Sequence, residues 1–275
     1  MASTTTLNAN NLAALGAERL AALLLEMTAG DAAAKRRLRL ELASHSGGDV
    51  AGEIRKRLVS IARSRSYVDW RKAREFGQDL ETQREAIVTH VAPNNPGEAF
   101  DLLWRLLEMA PSIYARCDDS NGLIGGIIAT ARDDLGDVAD RAGQSVEVLV
   151  GRVLSAVCAN DYGQFDGLIG TTAPALGSDG LTRLKVKFEE MAAGIAKAAA
   201  GEGRQAIGLS MRGPSHADDH ERSHQERLVR SALIEIADAL GVDPEALTLK
   251  DGMAVADNRA TPLRDLVGDG ITAQG

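Results

Sequence analysis

One stretch limits this chain more than any other: residues 93–142, PNNPGEAFDLLWRLLEMAPSIYARCDDSNGLIGGIIATARDDLGDVADRA. Phe100, Leu103, Trp104 and Leu107 recur at the i, i+3, i+4, i+7 spacing that stacks side chains on one helix face, and Leu102, Leu106 and Met109 widen that face. Asn94 and Asn95 are cap residues, Pro96 suits a first helical turn, and Glu98 complements the positive end of the helix dipole. Pro111 and the polar run CDDSNG then make a turn, after which Leu123, Ile124, Ile127, Ile128 and Leu135 supply a second apolar face. A helical hairpin cannot bury both stripes by itself, so the flanking chain must cover it.

The flanks read as more of the same. Alanine and leucine are abundant, aromatics are only 3%, and no long alternating β-branched run occurs, which favours helix over sheet. A first helix is expected over Leu12–Met27, with Leu12, Leu15, Leu20, Leu23, Leu24 and Met27 as its stripe. Gly30 stops it, and Asp31 caps a second helix with Leu38 and Leu42 on one face. Val50 to Ser64 forms a third, with Ile54, Leu58 and Ile61 inward and arginines outward. Trp70, Phe76, Leu80, Ile87 and Val91 space a long or kinked helix whose weak point is Gly77.

Beyond the hairpin, Ser145 caps one helix, Asp161 is a cap candidate for the next, and Ser178 with Asp179 opens another. Residues 201–215 read as a loop, and a last helix runs from about Asp218 to Leu240 with Leu228, Leu233, Ile236 and Leu240 inward. Similar helix openings at Glu98, Ser145, Leu181 and Arg227 recur at 47, 36 and 46 residues, the size of helix-pair repeats. The fold expected is all-α: stacked antiparallel helix pairs in a degenerate TPR/HEAT/armadillo-like array. Its parts are a basic helical region 1–92, a helical-repeat body 93–240 and an irregular, loosely held tail 241–275.

Charge is unevenly placed. Twelve basic residues against four acidic ones give residues 35–74 a charge of +8, and since the whole chain is −8 the rest carries −16. Leu12–Met27 carries Glu18 and Arg19 and lacks a basic start and a cleavage site, so neither a signal peptide nor a membrane span is expected, and the protein reads as cytoplasmic. Cys117 and Cys158 have no disulfide or zinc spacing and read as buried apolar residues.

Several segments, AAKRRLRLELA, ARSRSYVDWRKAREFGQDLETQREAIV, EAFDLLWRLLEMAPSIYARCDDSNG and RSALIEIADAL, together carry a resemblance. Over about Leu7 to Ala237 the chain resembles an uncharacterised α-proteobacterial domain-of-unknown-function family of helical-repeat proteins. That resemblance implies a cytoplasmic helical array with no assigned reaction, and it supplies no catalytic residue. Longer members continue with further helices where this chain turns to VDPEALTLKDGMAVADN, so a shortened C-terminal end is expected.

Three constellations bear on chemistry. His216, His220 and His224 lie four residues apart, and His220, Glu221 and His224 satisfy HExxH, which on a helix sets two imidazoles on one face beside a general base, as in zinc hydrolases. The surrounding charge and the missing third ligand favour a solvated helix start, with a metal site at His220 and His224 as the alternative. CDDSNG has calcium-loop oxygens at Asp118, Ser120 and Gly122, but its twelfth position is Ala129, so it reads as a turn that caps the next helix. GLIGG matches neither phosphate-loop pattern and reads as small residues at a close helix contact.

Arg55, Lys56, Arg57, Arg63 and Arg65 with Tyr67 and Trp70 join cations to aromatic faces, a composition suited to phosphates and base stacking. Arginines also simply cover helices. The function expected is non-enzymatic: a protein-interaction array with an unidentified protein partner, no cofactor and no membrane. The alternatives are a zinc-dependent hydrolase using HERSH and nucleic-acid binding through residues 35–74.

Overall fold

The computed structural model of the protein describes residues 6–201, 208–210, 213–215 and 217–242. Their named elements are helices apart from two short paired strands, and the chain divides between Leu181 and Thr182 into two compact units.

The first unit is built outward from α6 (Pro96–Glu108). Asn95 caps it as expected: its Oδ1 accepts the Glu98 N–H at 3.2 Å while its Nδ2 donates to the Glu98 carboxylate at 3.2 Å. Ala99, Phe100, Leu102, Leu103, Trp104, Leu106 and Leu107 are all buried, so most of its circumference faces protein. Burying each large side chain among these contributes about 1.5–3 kcal/mol. Trp104 stacks at a tilt between Phe100 (5.5 Å) and Phe165 (6.2 Å) and donates its indole N–H to Glu108 at 3.0 Å.

Helix α6 packs most extensively on α8 (Leu123–Ala139), the hairpin read from the sequence, with the short α7 (Ala110–Tyr114) after Met109. The CDDSNG run is a capping turn: Asp119 accepts the N–H groups of Ile124 and Gly125, each at 2.8 Å. On the other side α4 (Val50–Arg63), which buries Ile54, Leu58 and Ile61, packs on α6 and on residues 87–91, its first turn capped by Asp49, which accepts Gly52 N–H at 2.7 Å.

Helix α5 (Trp70–Ala86) runs unbroken through Gly77. A Cβ there would sit 2.8 Å from Leu123 Cδ2, so this glycine lets α8 approach closely. The irregularity comes later, where Ile87–Val91 forms a single π-turn. GLIGG also departs from its reading, since a Cβ on Gly126 would meet nothing within 4 Å; the close contact on α8 is instead at Gly136, whose Cβ would lie 2.6 Å from the Thr171 carbonyl oxygen.

The N-terminal helices correct the sequence in two ways. Leu12–Met27 is two helices, α1 (Ala9–Ala13) and α2 (Ala17–Met27), because Gly16 takes φ +80° between them. Neither buries a residue: Leu12, Leu15, Leu24 and Met27 are exposed, and Leu20 and Leu23 are half-buried. In α3 (Ala32–His45), capped by Asp31 as expected, Leu40 is the buried residue and Leu42 is exposed. Helix α9 (Val146–Cys158) starts at its Ser145 cap, and Cys158 proves exposed while Cys117 is buried. The turn that follows is organised by Asn160, which accepts Phe165 N–H at 2.8 Å, not by Asp161.

Helix α10 (Leu168–Gly201) breaks at Gly177 (φ 60°, ψ −178°), next to the opening read at Ser178. In the second unit it buries Leu184, Phe188 and Ala192, and α11 (Ala217–Leu240) buries Val229, Ala232, Leu233, Ile236 and Ala237. Within the expected loop, β1 (Gly208–Ser210) and β2 (Gly213–Ser215) pair antiparallel in the register Gly208↔Ser215, Leu209↔Pro214, Ser210↔Gly213, as a two-residue connection permits. The tail from residue 243 onward lies outside the described residues. No helix among the described residues is long and apolar enough to cross a membrane.

Candidate functional site

The basic block separates into charges used inside the protein and charges left on its surface. Asp79, only 2% exposed, receives Arg36 Nε at 2.9 Å on one carboxylate oxygen and Arg57 Nε at 2.8 Å on the other. This buried triad ties α3 and α4 to α5. Arg55 pairs with Glu98 in the first turn of α6, and Lys56 with Glu53 at 2.7 Å. The hydrogen bond and charge of Glu53 raise the Lys56 pKa, so that ammonium stays protonated. Arg37 reaches Glu85 at 3.5 Å. Of the residues proposed from sequence as one binding surface, Arg55, Lys56 and Arg57 therefore already have carboxylate partners.

Arg63, Arg65, Tyr67 and Trp70 do not. All four are exposed, as are Arg71, Lys72 and Arg74, and none of these cations forms an ion pair with a described residue. Tyr67 is 66% and Trp70 67% exposed, and the Arg71 guanidinium lies over the Trp70 ring at 5.2 Å. Each ring thus keeps a large apolar area in water.

The segment that presents them is fixed in place. Val68 donates its N–H to the Arg116 carbonyl at 2.8 Å and accepts Asp118 N–H at 3.0 Å, an isolated parallel β-bridge. Arg116 also donates to the Ile61 carbonyl at 3.0 Å, at the end of α4, and to Ser66 C=O at 3.4 Å, with its guanidinium over Phe76 at 5.4 Å. A cation on the last carbonyls of a helix complements its dipole. Asp69 then caps α5 by accepting the N–H groups of Arg71 (3.0 Å) and Lys72 (3.1 Å). Side chains of neighbouring residues in an extended segment alternate, so a half-buried Val68 sets Tyr67 outward. Neither Arg116 nor Asp79 was read from the sequence. Asp79 and Gln83 carried a signal, two polar residues among Phe76, Leu80 and Ile87; Arg116 carried none.

A second polar cluster lies at the π-turn. Ser44 Oγ lies 3.0 Å from His90 Nδ1, and His90 Nε2 lies 3.5 Å from Glu41, so the π-turn is clamped to two positions of α3. Glu41 is exposed and its contact long, a poor orienter for a nucleophile and base. His216 lies outside the described residues; His220 and Glu221 belong to α11, but their side chains are likewise outside the description, and His224 is exposed. Among the described residues no group of three or more His, Cys, Asp or Glu could hold a metal ion.

No curated protein and no solved structure matches the chain. A family model does match, over residues 2–247 of 275. The chain thus belongs to DUF6880, a family of unknown function.

Proposed function

We propose that this is a non-enzymatic protein of stacked, degenerate TPR/HEAT/armadillo-like helix pairs that acts in the cytoplasm by binding another protein. The observation that supports it best is the pair of exposed rings, Tyr67 and Trp70, set among unpaired arginines on a segment held by Arg116. Such a fixed aromatic–arginine surface has the composition of a binding hot spot. The test is the Tyr67→Ala, Trp70→Ala double variant, first shown by circular dichroism to keep its helix content. Partner proteins retained by the tagged wild type from the source cell should be lost from the variant. Equal retention by both would refute this surface as the site.

A second reading, nucleic-acid binding, is favoured by the same rings, which suit base stacking, and by the arginines, which suit phosphates. It predicts that log affinity for a duplex probe falls with log salt by about 0.9 per phosphate contacted. Weak, salt-independent binding would dismiss it.

A further inference from the structure

We infer that the protein partner meets residues 63–74 through an acidic segment that carries an aromatic or long apolar anchor, an inference that rests on the binding reading above. Five cations lie in that window, Arg63, Arg65, Arg71, Lys72 and Arg74, against one carboxylate, Asp69, so it carries +4. Asp69 is already occupied with the first N–H groups of α5. Four of the five cations are arginines, whose planar fork accepts a carboxylate through two parallel hydrogen bonds. Tyr67 and Trp70 add apolar faces beside that charge, and Arg71 covers one face of Trp70, leaving the other for an anchor.

A furrow of about 640 Å³ runs along α4 and reaches the same segment, lined by Val59 and Ser60 between Lys56 and Arg63, with Arg55 and Ser64. Two of its cations are already matched, Arg55 by Glu98 and Lys56 by Glu53, so Arg63, which forms no ion pair with a described residue, is the cation it leaves to a ligand. Two larger grooves differ from it in being lined by carboxylates as well. In the 730 Å³ groove beside α6, Arg55 is matched by Glu98 and Arg152 by Asp101 at 2.6 Å. In the 980 Å³ groove between α3, α5 and α8, which Arg74 also lines, Asp31 adds a carboxylate, Arg37 faces Glu85, and Glu81 is held by Arg84.

Charge also distinguishes a protein segment from nucleic acid. A few carboxylates satisfy a local +4, whereas a polyphosphate must continue past it along a chain whose residues outside 35–74 carry −16. The Arg71 already on Trp70 also removes one of the two faces a stacked strand of bases would use.

The experiment uses the full chain to select from a random twelve-residue peptide library at about 0.15 M salt, against an Arg65→Gln, Trp70→Ala variant whose unfolding midpoint matches wild type. Peptides retained only by wild type should be enriched in Asp and Glu around an aromatic residue or leucine. A synthetic peptide of that consensus should lose about tenfold in affinity to Arg63→Gln, Arg65→Gln and about tenfold to Trp70→Ala. Its Asn/Gln counterpart should lose more than either. Surface-dependent peptides without acidic enrichment would overturn this inference and leave the binding reading standing. Peptides indifferent to the variant, or a single-stranded oligonucleotide that binds wild type more tightly than any peptide and is lost from the variant, would overturn both.

Discussion

Two glycines on α8 offer a test of the packing in which the same substitution should have opposite signs. Gly126 and Gly136 both occupy the helix interior, where alanine gains about 0.5–1 kcal/mol over glycine. At Gly126 an added Cβ meets nothing within 4 Å, so Gly126→Ala should stabilise by that amount. At Gly136 the Cβ would lie 2.6 Å from the Thr171 carbonyl oxygen and 3.0 Å from Thr171 Cβ. That neighbour is backbone in α10 and cannot rotate away, so α8 and α10 must separate. Overpacking of this kind costs about 1–3 kcal/mol, which leaves a net loss of up to about 2.5 kcal/mol after the propensity gain. The propensity gain is common to both variants, so they should differ by the overpacking cost itself, about 1–3 kcal/mol, in urea denaturation at unchanged slope. Equal shifts, or a Gly136→Ala protein at least as stable as wild type, would refute the contact between α8 and the start of α10.

Asp79→Asn should cost about 2–4 kcal/mol by denaturant midpoint: removing one member of a buried charge group costs about 3–5 kcal/mol, but Arg36 and Arg57, 28% and 27% exposed, can turn partly to water. A loss under 1 kcal/mol would show the triad to be incidental. At Asp134, burial outweighs the hydrogen bond and charge of Arg84 and raises the carboxyl pKa above its ordinary 3.8. The folded state thus holds this proton more tightly than the unfolded chain, and the stabilisation it brings fades as pH climbs from 3.8 through the raised value. Asp134→Asn should remove that part of the slope, and a wild-type-minus-variant difference that is flat across this range would contradict it. Cys158 is exposed and Cys117 buried, so maleimide labelling read by peptide mass spectrometry should modify Cys158 in the native protein and Cys117 at least tenfold more slowly. Burial raises both thiols, so the Cys158 rate should climb steadily with pH.

What could be read from the sequence was what local spacing controls. The α4 face of Ile54, Leu58 and Ile61, the α6–α8 hairpin, and the caps at Asp31, Asn95 and Ser145 all follow from side chains within one or two turns. Gly16 was missed because the leucine spacing runs on across it, while a positive φ is a backbone choice that glycine permits without announcing. Leu42 and Leu40 both fit an amphipathic stripe, and only the position of α5 decides which is covered. The cations offered from sequence as one surface turn out to differ in their ion pairing. Arg55 and Arg57 look like Arg63 and Arg65 in sequence, but their partners, Glu98 and Asp79, lie 43 and 22 residues away, beyond any local pattern.

Arg116 has a consequence beyond geometry. It reaches back 50 and 55 residues to hold Ser66 and Ile61, so the surface around Tyr67 exists only while α4, α5 and α7 are assembled. A ligand for that surface is then a ligand for the native state alone. Mass action makes such a ligand a stabiliser, by about 2.7 kcal/mol at a hundredfold excess over its Kd. Candidate partner fragments can accordingly be sorted without labels by the rise they cause in the melting temperature. Arg116→Ala, which need touch no ligand, should abolish that rise from a distance.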